Sequence, residues 1–105
     1  MLIGLLLILA LPVAAQRKVK FGIFDKATEQ PVIGAVITYA DNEKLKSPQR
    51  VVTNMDGEAT ISVPQSDKCY YQVVSVGYNP LRGTIGSDSS LKLFMTEDVM
   101  KVNEV

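Results

Sequence analysis

Alternation of apolar and polar side chains with a period near two is the feature that most constrains how this chain folds. In the stretch after residue 16, Val19, Phe21 and Ile23 fall on one side of an extended backbone. Lys18 and Lys20 fall on the other side, because successive side chains of a strand point to opposite faces. No segment repeats its apolar residues at 3.6-residue spacing. The pattern therefore predicts an all-β protein, with an exposed Lys20 typical of an edge strand.

Turn residues divide the alternating stretches into short strands. In the second stretch, Ala35, Ile37 and Tyr39 are the predicted inward set. The Asp56-Gly57 pair is a strong short-range turn signal, which predicts that the apolar residues on its two sides form a hairpin. Counting the later strands gives about seven with regular turn spacing, as expected of a small Greek-key β-sandwich. The predicted later strands are 70–76, 81–85 and 91–95.

Residues 1–15 differ from the rest of the chain and read as a cleavable signal peptide. They form an apolar run that is followed by small residues, which predicts cleavage between Ala15 and Gln16. The run of about a dozen apolar residues is too short for a helix to span a hydrocarbon core of about 30 Å. We therefore expect export, with no direct membrane insertion after cleavage.

Charge and composition exclude several classes of function. Lys plus Arg and Asp plus Glu number 11 each, so the net charge is zero and nothing indicates a nucleic-acid partner. The chain has no His and one Cys, which speaks against a zinc site, a Cys–His nucleophile and an internal disulfide. Cys69 is instead expected to act as a small hydrophobe. We accordingly predict no enzyme activity, no catalytic residues, no metal and no cofactor.

The acidic residues leave two alternatives open. Asp56 and Glu58 lie close together, but they flank a glycine turn, where turn chemistry is the simpler interpretation than acid–base catalysis. Asp41, Glu43 and Asp88 could join Asp56 in a calcium site, although their loops lack a dense pattern of oxygen ligands.

The tyrosines also allow two interpretations, sugar binding and packing within the fold. Tyr70, Tyr71 and Tyr78 are aromatic residues of the kind that stack on sugars, and sandwich cores and corners also use tyrosine heavily.

Four motifs in order resemble a known family. They are PVIGAVI at 31–37, TNMDGEATISVP at 53–64, VGY at 76–78 and LKLFM at 91–95. Together they resemble the carboxypeptidase-regulatory-like, or transthyretin-like (prealbumin-like), domain. The resemblance implies structural roles for six residues: Pro31, Gly34, Asp56, Gly57, Gly77 and Tyr78. Phe21 stands where the family often has glycine and Ala59 where it has an aromatic residue, which suggests that one volume compensates for the other.

The resemblance also implies the kind of larger protein in which this domain occurs. In TonB-dependent outer-membrane receptors of the SusC/RagA type, such a domain follows the signal peptide and precedes a short β-prone segment, a plug and a membrane barrel. Residues 16–96 would form the domain and 97–105 a β-prone tail leading towards a plug, in which Met100 to Val105 resembles the start of that segment. The residues of this tail that we expect to pair with a partner are Met100, Val102, Asn103, Glu104 and Val105.

The predicted function is thus a non-catalytic, periplasmic interaction domain associated with the outer membrane. Its expected partners are the receptor's plug and barrel or a TonB-type energy-transducing protein, reached by pairing of strands. The alternative is a free-standing secreted module that binds carbohydrate or a partner protein.

Overall fold

The computed structural model describes residues 16–64 and 68–98, and these form seven strands without a helix. The predicted signal peptide, with Ala15, and the predicted pairing tail from Met100 to Val105 lie outside the described residues. Within the described ranges, no helix is long and apolar enough to cross a membrane. The strands are β1 (Gln16–Asp25), β2 (Val36–Ala40), β3 (Gln49–Val52), β4 (Glu58–Pro64), β5 (Cys69–Val74), β6 (Leu81–Ile85) and β7 (Ser90–Met95).

The strands form two sheets, one of three strands in the order β4-β1-β7 and one of four in the order β3-β2-β5-β6. β1 pairs with β4 antiparallel and with β7 parallel. In the second sheet, β2 lies antiparallel to both β3 and β5, and β5 lies antiparallel to β6. The predicted small all-β sandwich of about seven strands is confirmed.

The core lies between the two sheets and follows the alternation in the sequence. Val19, Phe21 and Ile23 of β1 are fully buried, and so are the predicted inward Ala35 and Ile37 of the second stretch. An edge-to-face contact joins the two sheets across the core, since the rings of Phe21 and Tyr71 have centroids 5.2 Å apart and an interplanar angle of 80°. The other buried apolar residues are Val32, Tyr39, Ala40, Ile61, Val63, Cys69, Val73, Ile85 and Met95.

The predicted hairpin around Asp56-Gly57 is wrong. The turn itself is present, because Gly57 N–H donates to the Asn54 carbonyl at 2.9 Å. The strands on its two sides, β3 and β4, nevertheless belong to different sheets. The turn therefore carries the chain across the core, and β4 pairs with β1 instead of with β3. Alternation shows which side chains face the core. It does not show to which sheet a strand belongs, because the inward side chains of both sheets face the same core.

The expected edge position of Lys20 is also wrong. β1 is the central strand of its sheet, with β4 on one side and β7 on the other. The Lys20 side chain does point outward, and its Nζ lies 3.2 Å from Glu58 Oε2 on the neighbouring strand. An exposed lysine thus marks the outer face of this sheet without marking an edge.

The two ends of the sandwich are distinguished by the direction of β1. At the upper end, β1 begins, β2 ends and β7 begins. At the lower end, β1 and β7 finish and the chain continues to Asp98. Residues 25–36, 52–58, 74–81 and 95–98 meet at this lower end. The family-motif residues therefore gather there.

Candidate interaction surface

A hydrogen-bonded corner holds the lower end together. The Asp25 carboxylate accepts hydrogen bonds from Ala27 N–H at 2.8 Å, from Thr28 N–H at 3.0 Å and from Tyr78 OH at 2.7 Å. The hydrogen bond from Tyr78, followed by that from Thr28, lowers the pKa of Asp25 below its usual value. The same hydrogen bond to Asp25 raises the pKa of Tyr78. Asp25 and Tyr78 thus tie the end of β1 to the turn between β5 and β6.

The chain that leaves β7 is bound to this corner. Asn79 N–H donates to the Thr96 carbonyl and Asp98 N–H donates to the Gly77 carbonyl, both at 2.9 Å. An isolated antiparallel bridge pairs Tyr78 with Glu97. Residues 96–98 consequently run beneath the core from the three-stranded sheet towards the turn of the four-stranded sheet.

Thr53 is the second polar centre of the lower end, and only 3% of it is exposed. Its Oγ1 donates to the Val32 carbonyl at 2.7 Å and accepts from Ala35 N–H at 2.9 Å. Gly34 N–H also donates to the Thr53 carbonyl at 3.1 Å. Thr53 therefore fixes the conformation of the Pro31–Ile37 motif, an assignment that the sequence analysis missed although Thr53 opens the second motif.

Gly57 is required where the two motifs meet. Its φ is 75°, and a Cβ at this position would lie 2.6 Å from the Ile23 carbonyl oxygen and 3.0 Å from the Pro31 Cβ. Ile23 N–H donates to the Gly57 carbonyl at 2.7 Å. Only glycine allows this close approach to β1. Asp56 lies in the same turn, which is organised by the side chain of Asn54, whose Oδ1 accepts from Asp56 N–H at 2.9 Å.

Above the lower end, the outer face of the four-stranded sheet carries an exposed apolar row. Val36 of β2 lies opposite Val52 of β3 on one side and opposite Val74 of β5 on the other. Val52 is 57% exposed and Val74 is 44% exposed. Ile33 and Val76, before β2 and after β5, extend the exposed apolar residues at this end. We call Val52, Val36 and Val74 the valine row.

One step further up the same face lies a polar row with two cations. Thr38 of β2 lies opposite Arg50 of β3 and opposite Gln72 of β5, and Gln72 lies opposite Arg82 of β6. Arg82 donates to Gln72 Oε1 at 3.3 Å. The Arg50 guanidinium makes no hydrogen bond or ion pair with any residue that the structure describes. We call these four residues the arginine row.

The outer face of the three-stranded sheet is different in chemistry. The Phe24 and Phe94 rings lie side by side on β1 and β7 with centroids 6.1 Å apart. The Lys92 ammonium lies over both rings, at 5.1 and 5.7 Å from their centroids. Lys92 therefore caps both aromatic rings, while Phe94 remains 40% exposed.

A small cleft opens at the upper end. It measures about 230 Å³ and is lined in part by Tyr39, Asp41, Gln49 and Cys69. Cys69 is buried, as expected of a small hydrophobe, and burial raises the pKa of its thiol. Tyr39 OH donates to Gln49 Oε1 at 3.1 Å, and burial raises the pKa of this tyrosine as well. The cleft thus holds a protonated thiol and a satisfied hydroxyl at neutral pH.

The remaining carboxylates do not converge. Asp56 and Glu58 are at the lower end, whereas Asp41 and Asp88 lie at the upper end, beside the cleft and in the β6–β7 turn. In residues 16–64 and 68–98, no group of three or more His, Cys, Asp or Glu side chains is placed to hold a metal ion. The structure therefore does not bring together the four residues of the alternative calcium site.

The three tyrosines have separate environments. Tyr71 is buried in the core, and its ring covers Gly83 on the neighbouring strand. Tyr78 forms the corner with Asp25. Tyr70 is half-buried and lines a shallow cleft of about 230 Å³ with Arg82, among others. Core and corner packing account for two of the tyrosines, and Tyr70 remains half-exposed.

Phe21 and Ala59, the two departures from the family pattern, lie opposite each other in the pairing of β1 with β4. Both face the core, Phe21 fully buried and Ala59 half-buried. The large side chain of Phe21 therefore lies opposite the small one of Ala59, as expected if the volume of one compensates for the other.

Comparison with known proteins gives a likeness of fold. No family model matches the chain, and no curated protein matches its sequence. Catechol 1,2-dioxygenase from Pseudomonas arvilla C-1 has a similar structure, with a TM-score of 0.64 and 9% identity over 86% of this chain and 55% of that one. Hydroxyquinol 1,2-dioxygenase from Pseudomonas putida DLL-E4 has a TM-score of 0.52 and 18% identity over 71% of this chain and 39% of that one. The structure of S.CueP has a TM-score of 0.57 and 11% identity over 84% of this chain and 67% of that one.

These likenesses correct the prediction that the chain is not an enzyme. Two of the similar structures just named are dioxygenases, and an intradiol ring-cleavage dioxygenase from Tetranychus urticae shares the fold as well. The prediction relied on the absence of His and of a second Cys, which argues against particular nucleophiles and zinc sites only. A sandwich of this form is found in enzymes, so that reasoning does not exclude catalysis. At 9–18% identity the likeness is one of fold, and this chain spans about half of the catechol enzyme.

Proposed function

We propose that this chain is an exported interaction domain of a TonB-dependent outer-membrane receptor, where it binds the plug and barrel or a TonB-type energy-transducing protein. The observation that carries the proposal is the exposed valine row on the outer face of the four-stranded sheet. Contiguous apolar surface on a small domain is typical of a contact site for another protein. The four motifs that resemble the carboxypeptidase-regulatory-like domain support the receptor setting.

The course of the chain agrees with this position. β1 begins at the upper end, next to the predicted cleavage site, and residues 96–98 leave at the lower end. A domain that followed Asp98 would start from a point that the two hydrogen bonds of the Tyr78–Glu97 bridge hold in place. It would then meet the lower end first, which is the end that carries the valine row.

The alternative function is that of a free-standing secreted module that binds carbohydrate or a partner protein. Tyr70 favours this alternative, because its half-exposed ring shares a cleft with Arg82, Thr84 and Glu43. A ring beside charged and hydroxyl groups is a suitable surface for a sugar, which has both apolar faces and hydroxyl groups.

The receptor proposal is tested by fractionating cells of the native host and detecting the sandwich with an antibody. We expect a species far larger than a 105-residue chain, in the outer-membrane fraction, with an N-terminus at Gln16. Leu6→Arg is the matched control for export, because a charge in the apolar run blocks recognition of a signal peptide. It should leave an unprocessed product in the cytoplasm.

Two results would contradict parts of the proposal. A soluble periplasmic species of about this chain's own size would exclude the receptor setting and favour the free-standing module. Processing and location that do not change with Leu6→Arg would show that residues 1–15 are not the export signal.

A further inference from the structure

Strand β7 has one side without a neighbouring strand. It lies at the end of its sheet, and within the described residues β1 is the strand that pairs with it. Lys20 N–H donates to the Ser89 carbonyl at 3.0 Å, which fixes the phase of this parallel ladder. In such a ladder every second residue of a strand bonds to the same neighbour. The backbone groups that point away from β1 therefore belong to Ser90, Lys92 and Phe94.

The same side of the chain is already paired just beyond β7. Thr96 and Asp98 continue the phase of the three outward residues. The Thr96 carbonyl accepts from Asn79 N–H, and Asp98 N–H donates to the Gly77 carbonyl. This pairing is antiparallel, and it ends where the chain passes into β6 of the other sheet. The open side of β7 thus continues an edge on which an antiparallel segment already lies.

The other three edge strands offer less to a pairing segment. On β4, Glu58 exchanges two hydrogen bonds of 3.0 Å with Asn54, and Pro64 has no N–H to donate. β3 has four residues, of which at most two face outward. β6 follows directly after Pro80 and has Gly83 at its centre, and glycine weakens a strand. β7 offers three consecutive outward residues and contains neither proline nor glycine.

The side chains of β7 indicate the chemistry of a pairing segment. Leu91 and Leu93 point inward and are half-buried, so part of each remains open at the side of the sandwich. Lys92 points outward and is exposed, and no carboxylate of the described residues lies within ion-pair distance of it. Glu58, on the same outer face, pairs with Lys20 at 3.2 Å. The edge therefore combines uncovered apolar surface on one face with an unpaired ammonium on the other.

We propose that the open side of β7 accepts an extended segment of a partner protein in which one acidic residue lies between two apolar residues. The segment adds an antiparallel strand to the three-stranded sheet, with its acidic residue opposite Lys92. Residues directly opposite each other in an antiparallel pair share a face. The two apolar residues therefore lie opposite Leu91 and Leu93 and cover their open parts. The inference rests on the proposed interaction function and adds a strand-pairing edge to the valine row.

Other occupants suit this edge less well. Two copies of this chain paired through β7 and centred on Lys92 would place the two lysines directly opposite each other, which is destabilising. A lipid surface would leave the outward N–H and C=O groups without partners in hydrocarbon. An extended protein segment satisfies the backbone groups, the leucines and the lysine together.

The test measures amide hydrogen exchange by NMR in the chain from Gln16 to Val105, which contains every strand of both sheets. The probe is a capped peptide whose central sequence is Thr-Val-Glu-Val-Thr. In the free protein, the amides of the two leucines of β7 should be protected by β1. Saturating peptide should slow exchange at least about tenfold at the three outward amides, those of Ser90, Lys92 and Phe94.

Two methylated peptides test the backbone pairing itself. A methyl group on the glutamate nitrogen removes a donor that faces β7, and affinity should fall at least about tenfold. A methyl group on the second valine nitrogen is the matched control. It removes a donor that faces away from β7, because alternate residues of the peptide bond to the same neighbour, and it should change the affinity by no more than about twofold.

A charge exchange tests the position of the acidic residue. Replacing the peptide's glutamate by lysine should weaken binding by about threefold or more, and Lys92→Glu should reverse this preference. Arg50→Glu is the matched control, since it also reverses one exposed positive charge but lies on the outer face of the other sheet. It should change the affinity by no more than about twofold for either peptide.

Several outcomes would overturn the inference. These are equal affinity of the two methylated peptides, slowed exchange at β3, β4 or β6 instead of β7, or the same change of preference with Arg50→Glu as with Lys92→Glu. Slow exchange of the three outward amides in the free monomer would show that the edge is already covered. Self-association that protects these amides would assign the edge to a second copy, and protection by phosphatidylglycerol vesicles without peptide binding would assign it to lipid.

Cell fractionation tests the receptor setting separately. A large outer-membrane species whose sandwich does not bind the peptide would refute the strand-pairing edge alone. Peptide binding by a soluble product of this chain's own size would refute the receptor setting alone.

Discussion

Replacing Thr53 by valine should destabilise the sandwich, although it preserves the volume of the side chain. The substitution keeps the β-branched shape and removes only the hydroxyl. The Val32 carbonyl then loses its donor, and the Ala35 N–H loses its acceptor. Thr53, Val32 and Ala35 are 3%, 5% and 0% exposed, so water does not easily replace either bond.

The expected loss follows from these two orphaned groups. A buried polar group left without a partner costs about 1–3 kcal/mol, so the pair should cost about 2–6 kcal/mol. That is a large part of the free energy of unfolding of a typical domain, which is about 5–15 kcal/mol. Thr53→Ser keeps both hydrogen bonds and loses one methyl group, which should cost about 1 kcal/mol.

Urea unfolding followed by circular dichroism measures these differences as free energies of unfolding. In thermal unfolding, Thr53→Val should lower the midpoint by about 8 °C or more. Thr60→Val, on the exposed outer face of β4, is the matched control and should change stability by no more than about 0.5 kcal/mol. A Thr53→Val protein as stable as the Thr60→Val protein would refute the assignment of Thr53 as the polar centre of the lower end.

Three further predictions concern the same fold. Gly57→Ala should cost at least about 2 kcal/mol in unfolding free energy, because its Cβ meets a carbonyl oxygen at 2.6 Å and its φ is positive; a loss below about 1 kcal/mol would contradict this. The lowered pKa of Asp25 means that its contribution to stability is present above its ordinary pKa of 3.8 and is lost as pH falls through the lowered value. The raised pKa of Tyr78 means that its contribution is present below its ordinary pKa of 10.0 and is lost as pH rises through the raised value. Urea midpoints measured across pH should therefore fall at both extremes, and Tyr78→Phe should flatten both limbs; unchanged limbs would refute the corner's role. Phe21→Ala should cost about 3–5 kcal/mol, and adding Ala59→Phe should recover part of that loss; a double variant no more stable than the single one would refute the exchange of volume.

The fold class could be predicted because strand periodicity is a local property. The buried set of β1 and the inward residues Ala35, Ile37 and Tyr39 were all identified from alternation alone, and each is buried in the structure. The position of the turn at Asp56-Gly57 is also predicted correctly. The residues that form such a turn, including the glycine with positive φ, lie within four positions of one another in the sequence.

The candidate surface can be recognised only from the tertiary structure. Val36, Val52 and Val74 are distant in sequence, and only the pairing of β2 with β3 and β5 places them in one row. Arg50 and Arg82 are likewise brought to one face by three strand pairings. Nothing in the local pattern around either arginine distinguishes it from an ordinary exposed residue.

Alternation and turn residues predict the short strands within 16–64 and 68–98, the inward side chains of the first two strands and most of the turns. The tertiary structure alone sets which strands are neighbours. It placed Lys20 on a central strand, sent β3 and β4 to different sheets and joined Asp25 to Tyr78. The physical reason is that alternation depends on neighbouring residues, whereas the choice of strand partners depends on how both sheets close over one core. Surface rows, buried hydrogen bonds and the separation of charges follow from that choice, and the proposed interaction site consists of them.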